Sequence, residues 1–188
     1  MGNDALRPAV FLDRDGVLNR AFPDGRSTRP PRALDELELL PGVAEAVRRL
    51  QAAGLALVGV SNQPDLARGL TSAAVVAELN AALQERLPGL LDILVCPHDD
   101  ADGCACRKPR PGLLLEGARR FGLDLRRSAL VGDRWSDVAA GQAAGCRTVL
   151  IEGPWSGRER CAPDLVARDL GEAAELLLVR LDGGQGRP

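Results

Sequence analysis

Polar residues follow several apolar runs of this 188-residue chain, and their chemical types suit the transfer of a phosphoryl group. Asp13 and Asp15 lie two residues apart on a segment expected to be extended, so both carboxylates point to the same side. A hard divalent cation such as Mg²⁺ would relieve the repulsion between them, and Asp133 could supply a third oxygen ligand. A carboxylate can also attack phosphorus while a second carboxyl group protonates the departing alkoxide. The three aspartates therefore favour Mg²⁺-dependent phosphate-ester hydrolysis.

Two further side chains could neutralise phosphoryl oxygens during transfer, the ammonium of Lys108 and the hydroxyl of Ser61. The chain has 23 arginines and a single lysine, Lys108. Because the two cations differ in shape and hydration, we infer that position 108 requires a compact point charge. A solvated turn is the simpler explanation of the paired aspartates alone, but the polar residues after the other apolar runs argue against it.

The elements that must position these residues are those of an α/β domain. Short apolar runs alternate with longer amphipathic stretches, which is typical of a mostly parallel sheet covered by helices. The pattern predicts strands over residues 9–12, 55–60, 91–95, 129–131 and 148–151. It predicts helices over residues 41–53, 71–87, 111–121, 136–144 and 170–181. Since ligands bind beyond the carboxyl ends of such strands, the polar residues should converge there.

Composition indicates one ordinary soluble domain spanning residues 1–188, with a core at about 9–181 and a disordered tail at 182–188. Residues 19–40 are read as an irregular loop, and no insertion is long enough for a large cap domain. The net charge of −2 argues against general nucleic-acid binding. No 18-residue apolar run or secretory signal is visible, so we expect a cytoplasmic protein without a membrane partner, and a monomer.

The motifs FLDRDG, SNQ, CRKP and VGD, in that order, resemble the haloacid dehalogenase (HAD) superfamily of phosphatases between about Ala9 and Ile151. The resemblance implies a three-layer Rossmann-like fold. It implies Asp13 as nucleophile, Asp15 as general acid and then base, and Ser61 and Lys108 as stabilisers of the phosphoryl group. The implied Mg²⁺ ligands are Asp13, the backbone carbonyl of Asp15, and Asp133.

Within the superfamily, NQPDLARG, CPH followed by CACRKPRPGLL, and VGDR resemble the heptose bisphosphate and histidinol-phosphate phosphatases, which carry a zinc loop. The corresponding Zn²⁺ ligands would be Cys96, His98, Cys104 and Cys106. Such a set closes tetrahedrally and leaves no open position, so the zinc would be structural. The expected reaction is removal of the 7-phosphate from D-glycero-D-manno-heptose 1,7-bisphosphate or a related sugar bisphosphate. Histidinol phosphate or another small phosphometabolite is the alternative substrate.

The sequence gives weaker evidence for the residues that bind the substrate than for those that carry out the reaction. The rigid fork of Arg107 suits phosphate or vicinal hydroxyls, and Asn62 would contact substrate or, equally, position a loop. Arg26, Arg29 and Arg32 could bind the distal phosphate, or be solvated loop charges. Two other functions are compatible with parts of the sequence: a zinc-stabilised module that binds protein or nucleic acid, and a DNA 3′-phosphatase. The second is disfavoured because no basic groove or aromatic platform is evident.

Overall fold

A computed structural model of the chain describes residues 6–25 and 27–182. The strands are β1 (Ala9–Asp13), β2 (Phe22–Asp24), β3 (Ser27–Arg29), β4 (Ala56–Asn62), β5 (Leu90–Cys96), β6 (Ala129–Gly132), β7 (Arg147–Ile151) and β8 (Leu165–Ala167). Six of them form a sheet in the order β5-β4-β1-β6-β7-β8, and every neighbouring pair is parallel. Strands β2 and β3 form a separate antiparallel hairpin.

Five α-helices cover the two faces of the sheet. They are α1 (Val43–Ala52), α2 (Ala73–Arg86), α3 (Gly112–Phe121), α4 (Trp135–Ala144) and α5 (Leu170–Asp182). Helices α1, α2 and α5 pack into one hydrophobic cluster, and α3 and α4 pack into the other. Ser72 begins α2 by accepting a hydrogen bond from the backbone N–H of Val75 at 3.2 Å. The result is the predicted three-layer α/β arrangement.

The alternation of side chains along β1 places the nucleophile candidate. Val10 and Leu12 belong to the cluster with α1 and α5, whereas Ala9 and Phe11 belong to the cluster with α3 and α4. Because side chains alternate between the two faces of a strand, Asp13 follows the parity of Phe11. Asp13 is therefore directed towards the side of the sheet that carries α3 and α4, at its carboxyl edge.

Most predicted elements agree with the structure to within two residues at each end. Three strands were not predicted. The segment 19–40, expected to be irregular, contains the β2–β3 hairpin, and the short edge strand β8 follows β7. Helix α5 also extends to Asp182, the first residue of the predicted tail, while residues 183–188 lie outside the described part of the chain. Across residues 6–25 and 27–182, no helix combines the length and the apolarity that crossing a membrane requires.

Candidate active site

A buried lysine between two carboxylates forms the centre of the site. Lys108 Nζ lies 2.7 Å from Asp13 Oδ1 and 2.6 Å from Asp137 Oδ1, and it donates to the Val60 carbonyl at 2.9 Å. Lys108 is 4% exposed. Burial by itself lowers the pKa of this ammonium, but the two carboxylates outweigh burial and raise that pKa above its usual value. Lys108 therefore carries a fixed positive charge next to Asp13.

Three carboxylates meet at this point. Asp13, Asp133 and Asp137 each offer an oxygen, and these oxygens all lie within 4.8 Å of one another. Burial, reinforced by Asp137 and opposed by Lys108, raises the pKa of Asp13 to about 6. Burial and the negative charges of Asp13 and Asp137 also raise the pKa of Asp133 well above its usual value.

The three carboxylates together have the chemistry that binds a hard divalent cation. The Asp133 Oδ1 atom is buried and accepts no hydrogen bond from the described residues. A buried oxygen without a donor is costly, and a cation would satisfy it while relieving the repulsion between Asp133 and Asp13. Mg²⁺ binds through one or two carboxylates together with waters and substrate phosphate. The residues present therefore suit Mg²⁺ as ligand donors.

Two glycines make room for these carboxylates. A Cβ atom at Gly132 would overlap the side chain of Asp137, so the absence of a side chain at the end of β6 lets Asp137 pack over the strand. Gly16 has a φ of +98°, and a Cβ atom there would overlap the carboxylate of Asp133. The motifs DRDG and VGD thus require glycine because the chain and an acidic side chain approach each other closely.

Asp15 is held by a different set of donors. Its carboxylate accepts from Arg14 Nε at 3.1 and 3.2 Å and from Gln63 Nε2 at 2.6 Å. Asn19 Nδ2 donates to it at 3.0 Å, and Ser61 Oγ lies 3.4 Å away. The Asp15 carboxylate is not part of the three-carboxylate group. The contribution of its backbone carbonyl to the Mg²⁺ site stays a prediction.

Asn62 fixes the main chain at Lys108. Its side-chain Nδ2 donates to the Lys108 carbonyl at 3.0 Å, and the Lys108 N–H donates to Asn62 Oδ1 at 3.1 Å. These bonds correspond to the loop-positioning alternative for Asn62. Arg107 lies at the cleft, where its Nε donates to Asp100 Oδ1 at 2.6 Å and its Nη1 to the His98 carbonyl at 3.3 Å.

The predicted zinc ligands are brought together. Cys106 Sγ lies 3.1 Å from Cys96 Sγ, 3.5 Å from Cys104 Sγ and 3.3 Å from His98 Nδ1. Cys96 Sγ lies 3.6 Å from both Cys104 Sγ and His98 Nδ1. Tetrahedral zinc with ordinary bond lengths requires about 3.8 Å between sulfurs and about 3.5 Å between sulfur and nitrogen. The four side chains therefore already have nearly the spacing of a closed zinc site.

One sulfur of this cluster is also favoured as a thiolate. Burial disfavours the charged form of Cys104, but the Arg107 N–H, which donates to its Sγ at 3.4 Å, acts with the neighbouring thiols to lower the pKa of Cys104 to about 7. Thiolate is the form that binds metal. Burial raises the pKa of Cys96 to about 12 and also raises the pKa of Cys106, so Cys104 is the sulfur of this cluster most readily present as a thiolate.

A cleft of about 360 Å³ opens over Asp13, Lys108 and Asp133. Its other walls come from four segments: the β2–β3 hairpin, the end of β4 with the turn after it (Asn62, Pro64, Asp65 and Arg68), the loop at Asp100 and Arg107, and the start of α4. Of the three arginines considered from sequence for the distal phosphate, Arg29 binds Glu36 and Arg32 binds Asp65. Arg26 lies outside the described residues.

Neither Gln63 nor Asp137 is among the site residues predicted from sequence, where Asp137 either flanks the site or serves the first turn of the helix after the fourth predicted strand. Asp137 does accept from the Arg134 N–H at 3.0 Å, but it also pairs with Lys108.

Comparison with known proteins identifies the family. A family model described as HAD-hydrolase-like matches residues 105–173. The D-glycero-beta-D-manno-heptose-1,7-bisphosphate 7-phosphatase of Bordetella bronchiseptica is 38% identical over 179 residues, covering 90% of this chain and 97% of that protein. The chain belongs to the heptose-1,7-bisphosphate 7-phosphatase family.

Other members of this family agree in sequence and in fold. The D-glycero-alpha-D-manno-heptose-1,7-bisphosphate 7-phosphatase of Mycobacterium bovis is 40% identical over 158 residues, covering 79% of this chain and 81% of that protein. The crystal structure of the B. bronchiseptica phosphatase, complexed with magnesium and phosphate, matches with a TM-score of 0.78 at 37% identity, over 92% of this chain and 99% of that one. The predicted superfamily, the phosphoric monoester hydrolase class and the fold class are confirmed.

Proposed function

We propose that the protein removes the 7-phosphate of D-glycero-D-manno-heptose 1,7-bisphosphate, or of a closely related sugar bisphosphate, with Mg²⁺ as cofactor. The observation that carries this proposal is the buried pairing of Lys108 with Asp13, beside the unsatisfied oxygen of Asp133, at the floor of an open cleft. Relatives that bear this activity in their names, at 38% and 40% identity, support the choice of sugar.

The reaction follows from the positions of the side chains. The Asp13 carboxylate attacks phosphorus, the bond from phosphorus to the sugar oxygen breaks, and Asp15 protonates that oxygen. Asp15 then accepts a proton from a water that attacks the phosphoaspartate, which releases phosphate and regenerates Asp13. Lys108 donates to the phosphoryl oxygens throughout, and the predicted donation from Ser61 requires its hydroxyl, now 3.4 Å from Asp15 Oδ2, to turn towards the substrate. Mg²⁺, when bound by Asp13 and Asp133, neutralises the charge of the phosphoryl group.

The zinc cluster has a structural role in this proposal. Cys106 directly precedes Arg107 and Lys108, so a metal held by Cys96, His98, Cys104 and Cys106 would fix the segment that delivers both cations. Arg68 supports the same loop, because it pairs with Asp99 through bonds of 2.6 and 2.8 Å. The proposal also places the protein in the cytoplasm as a monomer.

Replacing Cys104 with serine is expected to remove the zinc and to release the segment that carries Lys108. Since misplacing a catalytic group by about 1 Å can reduce a rate by about 100-fold, we expect turnover to fall by about 10–100-fold. The measurements are zinc content by mass spectrometry and phosphate release at saturating Mg²⁺. Cys161→Ser is the matched control, since Cys161 lies outside the cluster. Full activity of zinc-free protein would contradict a structural metal.

The function is tested by measuring phosphate release from the alpha and beta anomers of the heptose bisphosphate. The panel also holds hexose bisphosphates, the heptose and hexose monophosphates, histidinol phosphate and a 3′-phosphorylated oligonucleotide. We expect selective release from one heptose bisphosphate, dependent on added Mg²⁺. Leaving Mg²⁺ out, rather than adding a chelator, keeps the zinc site intact. Selective release from histidinol phosphate would replace the proposed substrate, and release from the oligonucleotide would indicate a nucleic-acid phosphatase.

A further inference from the structure

The carboxylate of Asp15 has hydrogen-bond donors on both of its oxygens. Asn19 Nδ2 donates to Oδ1 at 3.0 Å, and Gln63 Nε2 donates to Oδ2 at 2.6 Å. Arg14 Nε lies 3.2 Å from Oδ1 and 3.1 Å from Oδ2, so it contacts both oxygens. A rotation of the carboxylate would therefore break at least one of these bonds, and its orientation is set by the three neighbours.

Gln63 differs from the other two donors in where its main chain is anchored. Arg14 and Asn19 belong to the same short segment as Asp15. Gln63 directly follows β4, and its backbone N–H donates at 2.8 Å to the carbonyl of Cys96, the last residue of β5. The bond from Gln63 therefore ties the carboxylate of Asp15 to the central sheet.

Gln63 lies behind Asp15 and does not line the cleft, whereas Asp15 does. Gln63 is only 1% exposed. The side chain of Asp15 keeps 15% of its surface exposed, which is the part that a departing oxygen can approach. Any effect of Gln63 on the reaction must therefore act through the groups that its amide holds.

The second half of the Gln63 amide is unfavourable for the fold. Its Oε1 atom is buried and accepts no hydrogen bond from the described residues. A buried acceptor without a donor destabilises the folded state, so an apolar side chain of similar length should be tolerated at this position. The contact with Asp15 gives this glutamine a role that stability does not.

We propose that Gln63 is a positioning residue for proton transfer, which holds the carboxyl group of Asp15 in the orientation that protonates the departing sugar oxygen. The inference rests on the proposed function, because it presumes Asp15 as general acid. In that step the Asp13 carboxylate bonds to phosphorus, the bond from phosphorus to the sugar oxygen breaks, and the proton of Asp15 goes to that oxygen. A protonated carboxyl group still accepts hydrogen bonds, so the donors around Asp15 can stay in place.

Gln63 also donates to Ser61 Oγ, at 2.8 Å, and this contact predicts a different result. Ser61 is expected to bind a phosphoryl oxygen, so an effect through Ser61 would be the same for every phosphate ester. An effect through Asp15 depends on the leaving group, because a sugar alkoxide needs a proton and a weakly basic leaving group does not. The chemistry of the leaving group therefore separates the two effects.

The test compares Gln63→Met with the wild type on heptose 1,7-bisphosphate and on p-nitrophenyl phosphate, whose p-nitrophenolate leaves without a proton. For the sugar we expect kcat/KM to fall about 10–100-fold, because misplacing a catalytic group by about 1 Å has an effect of that size. For p-nitrophenyl phosphate kcat/KM should stay near its wild-type value, while kcat falls because Asp15 also accepts the proton of the attacking water. Acetyl phosphate, whose acetate also leaves without a proton, repeats the comparison with a smaller substrate.

The matched control is Gln142→Met, the same chemical change at an exposed glutamine of α4 whose amide donates to the Ala162 carbonyl at 2.8 Å. This variant should behave as the wild type. The melting temperature of Gln63→Met should stay close to that of the wild type, which excludes unfolding as the cause of the loss. Gln63→Asn, one methylene too short to keep the 2.6 Å bond to Asp15, should show the same dependence on the leaving group.

Equal losses of kcat/KM on the sugar and on p-nitrophenyl phosphate would overturn the assignment and place the effect of Gln63 on Ser61. Full activity on both substrates would overturn it as well. Asp15→Asn separates this inference from the proposed function. If Asp15→Asn depends on the leaving group and Gln63→Met does not, the inference fails and Asp15 remains the general acid. If Asp15→Asn loses both activities equally, the general-acid assignment fails and the inference fails with it.

The identity of the sugar does not affect this comparison. If the wild type prefers another sugar phosphate, the heptose assignment fails, and the ratio measured on that sugar phosphate and on p-nitrophenyl phosphate still decides the role of Gln63.

Discussion

Replacing Asp13 with asparagine is expected to reduce phosphate release by roughly 10⁴-fold or more, the scale seen when a covalent nucleophile is removed. An amide nitrogen or oxygen cannot form the phosphoaspartate, and the neighbouring carboxylates have other roles in the proposal, Asp133 as a Mg²⁺ ligand among them. Asp137 is held by Lys108 at 2.6 Å, and the Asp15 carboxylate is bonded to Gln63 and Arg14. The expected loss should therefore appear in kcat rather than in KM.

The fold should survive this substitution. Asparagine has almost the shape of aspartate, and Lys108 keeps Asp137 and the Val60 carbonyl as partners. The change also removes one of three carboxylates that lie within 4.8 Å of one another. The melting temperature measured without Mg²⁺ should accordingly stay close to that of the wild type. A large decrease would mean that lost activity reports unfolding rather than chemistry.

The matched control is Asp35→Asn, the same chemical change at an exposed residue of the turn before α1. Wild type quenched with acid during turnover should carry phosphate in a hydroxylamine-sensitive linkage on the peptide that contains Asp13. Asp13→Asn should carry none, and Asp35→Asn should behave as the wild type. Phosphate release by Asp13→Asn at near-normal rate would remove Asp13 as the nucleophile.

The strands of the sheet could be predicted because their sequences are continuous apolar runs. A strand buried on both faces, such as β1 or β4, reads as four or more hydrophobic residues ended by polar ones. Those polar ends were also the residues of the site, since the carboxyl edge of a parallel sheet is where side chains from separate strands meet. The same pattern, apolar runs ended by polar residues, therefore predicted both the strands of the sheet and the residues of the candidate site.

The hairpin and the edge strand had no such pattern. Strands β2 and β3 are three residues each, have no fully buried residue, and contain Pro23, Asp24 and Ser27 in place of an apolar face. Strand β8 is also three residues long, and it pairs only with β7 among the described strands. Their existence depends on contacts with the rest of the fold, such as the bond from Arg134 to Thr28, which a local reading cannot detect.

Two site residues had signals that were present in the sequence. Gln63 lies two residues after Ser61, so an extended backbone directs both side chains to one side, where Gln63 Nε2 donates to Ser61 Oγ at 2.8 Å. Asp137 lies in the first turn of α4, and the N-cap residue of that helix directly follows Asp133, so the chain brings both aspartates to the end of β6. The glycine at 132 was a further signal, because only a missing side chain admits Asp137 above the strand.

Replacing Lys108 with arginine is expected to reduce kcat by about 10²-fold or more, although the positive charge is kept. Three acceptors surround one nitrogen atom at 2.6–2.9 Å in a site that is 4% exposed. A planar guanidinium is larger than an ammonium and spreads its donors over a fork, so Asp13 or Asp137 must move to admit it. A displaced Asp13 is no longer aligned with phosphorus.

Comparing this variant with Lys108→Met separates the shape of the cation from its charge. Methionine removes the charge and leaves two buried carboxylates uncompensated, so we expect its free energy of unfolding to fall by about 3–5 kcal/mol. Arginine keeps the pairing and should lose about 1–3 kcal/mol from overpacking, while its kcat is still strongly reduced. Denaturant unfolding and steady-state kinetics measure the two effects separately. Near-normal turnover by Lys108→Arg would mean that position 108 needs only a positive charge. The single lysine in a chain with 23 arginines would then not indicate a requirement for an ammonium group.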